Sequence, residues 1–242
     1  MIGAILNTSG IIIGGLLGLT TSKTPSASAE SQLRIILAAS TVFLGLRLTW
    51  LSLDGSALQI LKQCAILILA LMLGKVTGRL FRLQKISNHL GRRAQEEIVA
   101  AQSSCRHTAD EGFKPCTLLF CAAPLGILGA VQDGLSLSRY FYPLGVKAVM
   151  DGFAALGFVR VLGWGVLLSA VPVLALQGTL TLVCAHFLAP FLAARGLLDS
   201  VNTVGGVLVF SVALVMLGLK RIELTDYLPS LMFAPLLTWL WR

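Results

Sequence analysis

The stretch QDGLSLSRYFYPLGVKAVMD, from Gln132 to Asp151, lies between two apolar segments, and its reading decides what kind of molecule this is. It opens on Gln132-Asp133-Gly134 and closes on Lys147 and Asp151, inside a run otherwise apolar enough to cross a membrane. A charge at that depth costs about 2.5–3.5 kcal/mol on insertion scales, so it needs a reason. Lys147 and Asp151 are spaced i to i+4, which puts them on one helix face where they can pair.

Outward from that stretch the chain is strongly apolar. Of 242 residues, 56% are hydrophobic and only 12% charged, with a mean hydropathy of +0.84. A soluble domain carries about twice that charged fraction. The bilayer is therefore the expected solvent and partner. Lipid leaves no outside partner for backbone groups, so runs of roughly 20 apolar residues must be helices. They also lack the alternation of barrel strands. The expected fold is all-α: a polytopic transmembrane helical bundle of about eight spans, forming one transmembrane domain over residues 1–242.

The expected spans cover about 2–20, 32–50, 56–80, 115–131, 143–161, 164–188, 201–219 and 227–241. The first carries Gly10, Gly14, Gly15 and Gly18, a spacing that lets two helices approach closely. It is read as a retained helix: Ala27-Ser28-Ala29 imitates a signal-peptidase site, but no basic region precedes the apolar run. A Ser/Thr/Pro-rich loop is expected over Thr20–Ser31, and a turn at Asp54-Gly55. Pro172 followed by Gln177-Gly178-Thr179 should interrupt the sixth span in mid-membrane. The eighth, with Pro229 and Pro235, is short enough to be tilted or broken.

Basic residues set the orientation. Arg79, Arg82, Lys85, Arg92, Arg93, Arg106 and Lys114 gather around residues 81–112, marking a cytoplasmic loop. Within it Leu83, Ile86, Leu90 and Ile98 recur among charges over about 81–101, as in an amphipathic surface helix. Three spans back, the N-terminus falls outside; going forward, Lys220 and Arg221 fall inside and the C-terminus outside. The net charge of +8 is thus explained by topology, and no nucleic-acid partner is expected. Five scattered cysteines, Cys64, Cys105, Cys116, Cys121 and Cys184, lack metal-ligand spacing and read as buried thiols.

Spans one to three and six to eight share a faint plan, with Ala38–Leu46 lying against Val204–Val212. In this topology the matching segments enter from opposite sides, as an inverted repeat would. A rival alignment pairs Asn7-Thr8-Ser9-Gly10 with Asn202-Thr203-Val204-Gly205.

The polar residues at depth are the candidate site: Asn7, Gln132, Asp133, Lys147, Asp151, Gln177 and Asn202. They read as the lining of a path for an ion or small polar solute. Each has a structural alternative. Lys147, one turn from Pro143, can snorkel to the headgroups with Asp151 as its partner; Asp133 can be an exposed turn residue; Gln177 can mark a kink satisfied by a neighbour. His186 and Arg139 with Tyr140 and Tyr142 read as interface residues, and Arg47 as a cation snorkelling beside Trp50. No nucleophile–base set, no HExxH and no dinucleotide fingerprint occurs, so neither an enzyme nor a cofactor is expected.

Several motifs in order carry a resemblance: Met1-Ile2-Gly3 through Asn7, Ile12-Ile13-Gly14-Gly15-Leu16-Leu17-Gly18, Gln132-Asp133-Gly134, Lys147 with Asp151-Gly152, Ser169 to Gln177-Gly178, and Gly205-Gly206-Val207-Leu208. Together they resemble the YqgA/YdfK family of polytopic bacterial inner-membrane proteins, a family of unknown function often labelled as transporters, over nearly the whole chain. The resemblance implies a bacterial cytoplasmic membrane and a compact polytopic fold; it supplies neither substrate nor catalytic residues. The expectation is a small transporter or channel, forming a homo-oligomer through small-residue faces. The alternative is a non-transporting scaffold or envelope sensor acting through the basic loop.

Overall fold

Serine caps set the starts of the two helices that follow the first. Ser26 accepts from the Ala29 amide at 3.2 Å, and Ser56 forms a capping box with Gln59, so that each satisfies amides the first helical turn leaves free. A computed structural model describes residues 1–21, 26–102, 109–135 and 140–241, and among these the protein is all-helical. The expectations for Cys105, Arg106 and Arg139 lie outside the described residues.

The helices are α1 (Ile2–Thr20), α2 (Ala27–Leu51), α3 (Ala57–Leu80), α4 (Leu83–Gln102), α5 (Ala109–Ala122), α6 (Pro124–Leu135) and α7 (Tyr142–Leu162). There follow α8 (Gly165–Leu168), α9 (Ala170–Val183), a π-helical turn (Cys184–Leu188), α10 (Ala189–Ala194), α11 (Leu198–Met216), α12 (Leu224–Tyr227) and α13 (Ser230–Leu240). Five of these runs are long and apolar enough to cross a membrane: α1, α2, α3, the 30-residue run Gly165–Ala194, and α11. A sixth forms if α5 and α6, bent by 59° at Ala123, count as one span. The 21 residues of α7 have the length, about 31 Å, but carry Lys147, Asp151 and Arg160. The 11 residues of α13 reach only about 16 Å.

Four expectations are corrected. The Ser/Thr/Pro loop does not run to Ser31; the chain is helical from Ala27, because Ser26 caps it and Glu30 sits favourably in the first turn. Gln132-Asp133-Gly134 is not a loop but the last full turn of α6. Pro172 does not break its span: it stands in the first turn of α9, where a missing amide costs nothing, and Gln177-Gly178 continue as regular helix. The broken helix is instead the α5–α6 pair. Finally, α4 does not merely lie on a membrane surface. Ala94 and Ala101 are fully or nearly buried, and Ile98 joins the core formed by Ile11, Phe120, Val159 and Val173.

Glycines fix how the helices pair. A Cβ at Gly10, Gly14 or Gly18 would collide with the carbonyl of Ala148, Gly152 or Leu156 respectively, so α1 and α7 run parallel with backbones touching. Other pairs are antiparallel: α1 with α8–α9 (Gly15 on Leu167, Asn7 on Gln177), α2 with α11 (Gly45 on Phe210, Thr49 on Gly206), and α3 with α12–α13 (Gly74 on Ser230, Gly78 on Asp226). Around the outside, Leu58, Leu61, Met72 and Val76 of α3 are more than 60% exposed. Such an apolar periphery is suited to lipid rather than water.

Candidate functional site

The polar side chains foreseen on separate helices meet where α1, α6, α7 and α9 come together. Lys147 forms a salt bridge with Asp151 along α7, the two side chains being only 3% and 11% exposed. Asn7 of α1 donates from Nδ2 to Oε1 of Gln177 on α9 at 3.1 Å, and its amide also faces the Asp151 carboxylate. The cluster thus joins three helices: the Asn7–Gln177 bond links α1 to α9, and the same Asn7 amide links α1 to the ion pair on α7.

Lys147 does not snorkel. Its chain points down α7 towards Asp151, one turn deeper, and its ammonium lies 5.9 Å from the centre of the Phe120 ring. Gly126 makes this possible: a Cβ there would stand 2.9 Å from Lys147 Cε and 3.0 Å from Gln177 Nε2. The 59° bend between α5 and α6 carries Phe120 and Gly126 to the same place from opposite sides of the break. Thr181 Oγ1 donates to the Ala130 carbonyl at 3.1 Å, tying α9 to α6 just beyond the cluster.

Two polar atoms in this cluster have no hydrogen-bond partner among the described residues, Asn7 Oδ1 and Gln177 Nε2. One accepts and the other donates. A buried amide atom left unpaired costs about 1–3 kcal/mol, so the pair is a place where a bound polar group, or water, would be stabilised.

The last turn of α6 points three ways. Asp133, 8% exposed, accepts from the Gly3 amide at 3.1 Å and faces the Met1 amino group at 3.0 Å. It is therefore a buried acid at the amino end of α1, where the helix dipole favours it, and not an exposed turn residue. Gly134 meets Thr181 and Cys184. Gln132 turns to α11, its amide pressed on Gly205, with both polar atoms unpartnered. Asn202, half-buried on α11 one turn before Gly205-Gly206, stays outside the hydrogen-bonded cluster. Asp133 is linked to the cluster through α1, since Gly3 precedes Asn7 by one turn.

Phe120, Gly126 and Thr181 were missed by sequence reasoning. The Gly126-x2-Gly129 spacing after Pro124 was the available signal. Among the described residues no three His, Cys, Asp or Glu side chains gather to hold a metal ion.

Comparison with known proteins agrees with a membrane chain and assigns it no activity. The chain is 28% identical over 246 residues to the "Uncharacterized protein YqgA" of Escherichia coli (strain K12), covering 100% of this chain and 97% of that protein. It is 27% identical over 235 residues to the "Uncharacterized membrane protein YdfK" of Bacillus subtilis (strain 168), covering 97% and 94%. No solved structure matches it. A family model described as "Protein of unknown function (DUF554)" matches residues 2–239, and the chain therefore belongs to that family.

Proposed function

We propose that the protein is a transporter or channel for an ion or small polar solute, acting without catalysis through the cluster of Asn7, Lys147, Asp151 and Gln177. The observation that carries this reading is the pair of unpartnered amide atoms, Asn7 Oδ1 and Gln177 Nε2, beside a buried ion pair. Hydrophobic residues of the same volume would hold the helices at lower cost, so stability gives no reason for the polar set.

The seam that opens lies between two parallel helix pairs. One, α1 with α7, is locked by glycine contacts and carries Asn7, Lys147 and Asp151; the other, α6 with α9, carries Gly126 and Gln177. In the described conformation the seam is closed to solvent. Sliding or rocking one pair against the other exposes the ion pair and the free amide atoms together, and the solute replaces the contacts that are lost.

The same proposal takes the molecule as eight passes in a bacterial inner membrane, with α1–α3 and α8–α13 as halves of an inverted repeat. Its support is that α1 with α9, α2 with α11 and α3 with α12–α13 each pair antiparallel, as equivalent helices of opposite halves do. The basic end carrying α4 then faces the cytoplasm, with both termini outside. A homo-oligomer belongs to the proposal too. Since the glycine faces of α1 and α2 are filled within the chain, its contact is the outer face of α3. Crosslinking in membranes that yields monomer alone refutes it.

A scaffold or sensor working through the basic segment has less support, because α4 is held into the fold: the Gln84 amide donates to Asp226 at 2.8 Å and Gln84 Oε1 accepts from Thr225 at 3.2 Å. The deciding experiment is a solute and ion flux screen in proteoliposomes. Flux with the native protein that disappears in Asp151→Asn supports the proposal; a flux that Asp151→Asn leaves intact overturns it.

A further inference from the structure

A second polar feature lies away from the central cluster, at the end of the bundle that carries α4. There α3, α4, α11 and α12 enclose an open cavity of about 920 Å³. Among the described residues its wall holds Lys75, Arg79, Lys220 and Arg221 against a single carboxylate, Glu223. Arg79 pairs with that carboxylate at 3.2 Å, and the Lys75 ammonium lies 5.3 Å from the centre of the Tyr227 ring. Because Glu223 is taken up by Arg79, no second carboxylate among the described lining residues is left for Lys220 and Arg221.

The backbone builds this concavity. Arg82, a non-glycine residue at φ 56°, makes the turn between α3 and α4, in a left-handed conformation uncommon for a residue with a side chain. The clamp of Gln84 on Thr225 and Asp226 fixes the start of α4 to α12. At the other wall Gly218, at φ 69°, ends α11 so that Lys220 and Arg221 turn back over the cavity. Leu71, Leu208 and Leu214 provide an apolar floor beneath the cations. Leu80 and Leu219, each next in the chain to a lining cation, Arg79 and Lys220, are 77% and 70% exposed.

We infer that this cavity binds the phosphate headgroup of an anionic phospholipid, with Lys75, Lys220 and Arg221 on the phosphate and an acyl chain leaving over the apolar rim. Four cations to one carboxylate call for an anion. The apolar floor and the exposed leucines beside it select an amphiphile over a free ion, and a bilayer supplies anionic amphiphiles at that level. The inference does not depend on whether the central cluster carries a solute.

The test uses the full-length protein in detergent, mixed with phosphatidylglycerol or phosphatidylcholine, with bound lipid counted by native mass spectrometry. The native protein is expected to prefer phosphatidylglycerol by about tenfold or more, and Lys220→Gln/Arg221→Gln to lose most of that preference. Arg92→Gln/Arg93→Gln on α4, which removes two exposed cations outside the cavity, should leave it unchanged. Equal binding of the two lipids overturns the inference, as does an equal loss in the α4 control, which would mean attraction to charge in general. Millimolar inorganic phosphate that displaces the lipid completely would make the site one for soluble anions and also overturn it. Should Lys220→Gln/Arg221→Gln fail to give monodisperse protein, Lys75→Gln carries the same test.

Discussion

At the seam between the α1–α7 and α6–α9 pairs one ammonium meets one carboxylate, with 3% and 11% of the two side chains exposed. At the α3–α11 end four cations share one carboxylate, and the Arg79–Glu223 pair is 61% and 49% exposed. Water accounts for the contrast. Where it is excluded, charge must be balanced within the protein, because an unpaired buried charge costs several kcal/mol. Where it reaches the side chains, a surplus of one sign costs little and remains available to a ligand.

The closed region depends first on glycine. Gly14→Val places branched carbons where the Gly152 carbonyl stands, so α1 must leave α7 or the helices must shift. Overpacking of this kind costs about 1–3 kcal/mol in a yielding core and more against backbone. We expect loss of monodisperse protein by size exclusion, the largest effect of any single change considered. Gly157→Ala on α7, where a Cβ would meet nothing within 4 Å, should be neutral or stabilising by up to about 1 kcal/mol.

Next comes the ion pair. Asp151→Leu strands the Lys147 ammonium beside Phe120 and should lower stability by about 3–5 kcal/mol in thermal or denaturant unfolding. The double change Lys147→Met/Asp151→Leu should return stability to within about 1 kcal/mol of the native protein while abolishing flux. Such a result separates what the pair does for folding from what it does for function.

How much of this was readable in the sequence follows the same division. Helix class and the starts of α1, α3 and α7 came from apolar length and, before α3, from the Asp54-Gly55 turn, which are local. The i to i+4 spacing of Lys147 and Asp151 fixed their pairing, and the glycine spacing in α1 foretold a close partner without naming α7. What escaped was set by tertiary direction. Pro172 looks like a breaker until Ser169 is seen to begin a new helix just before it, and Ala123-Pro124 looked harmless although the chain bends there. Lys75, Arg79, Lys220 and Arg221 were read as topology signals because nothing local shows that α3 and α11 bring them to one cavity. Gln132 and Asn202 illustrate the converse: polarity at depth placed them in the site, but the rotation of α6 turns Gln132 to α11, and Asn202 joins no hydrogen bond of the cluster.

Gln132 offers a test smaller than the ion pair. Its amide is 2% exposed, and both its polar atoms are unpartnered. Gln132→Leu removes two unsatisfied groups and fills similar space, so stability should be unchanged or rise by about 1 kcal/mol. A loss above about 1 kcal/mol would show that the amide is satisfied, and the seam along α11 would then be wet.

The smallest effect is expected at the open end, and it gives the most direct comparison because the same chemical change is made in both places. Asp151→Asn and Glu223→Gln each remove one carboxylate charge facing a cation while leaving the shape nearly intact. At the seam the lost charge leaves an ammonium buried, with no water to take over, and the cost should approach that of Asp151→Leu. At the cavity the Arg79 guanidinium keeps its hydration when Glu223 is neutralised, so the change should stay below about 1 kcal/mol in the same unfolding measurement. It also removes the only acid among the described residues that line the cavity, so preference for phosphatidylglycerol should rise rather than fall. Equal destabilisation by the two substitutions would mean that the cavity is as dry as the seam, and the division between a neutral interior and a charged, open end would not hold.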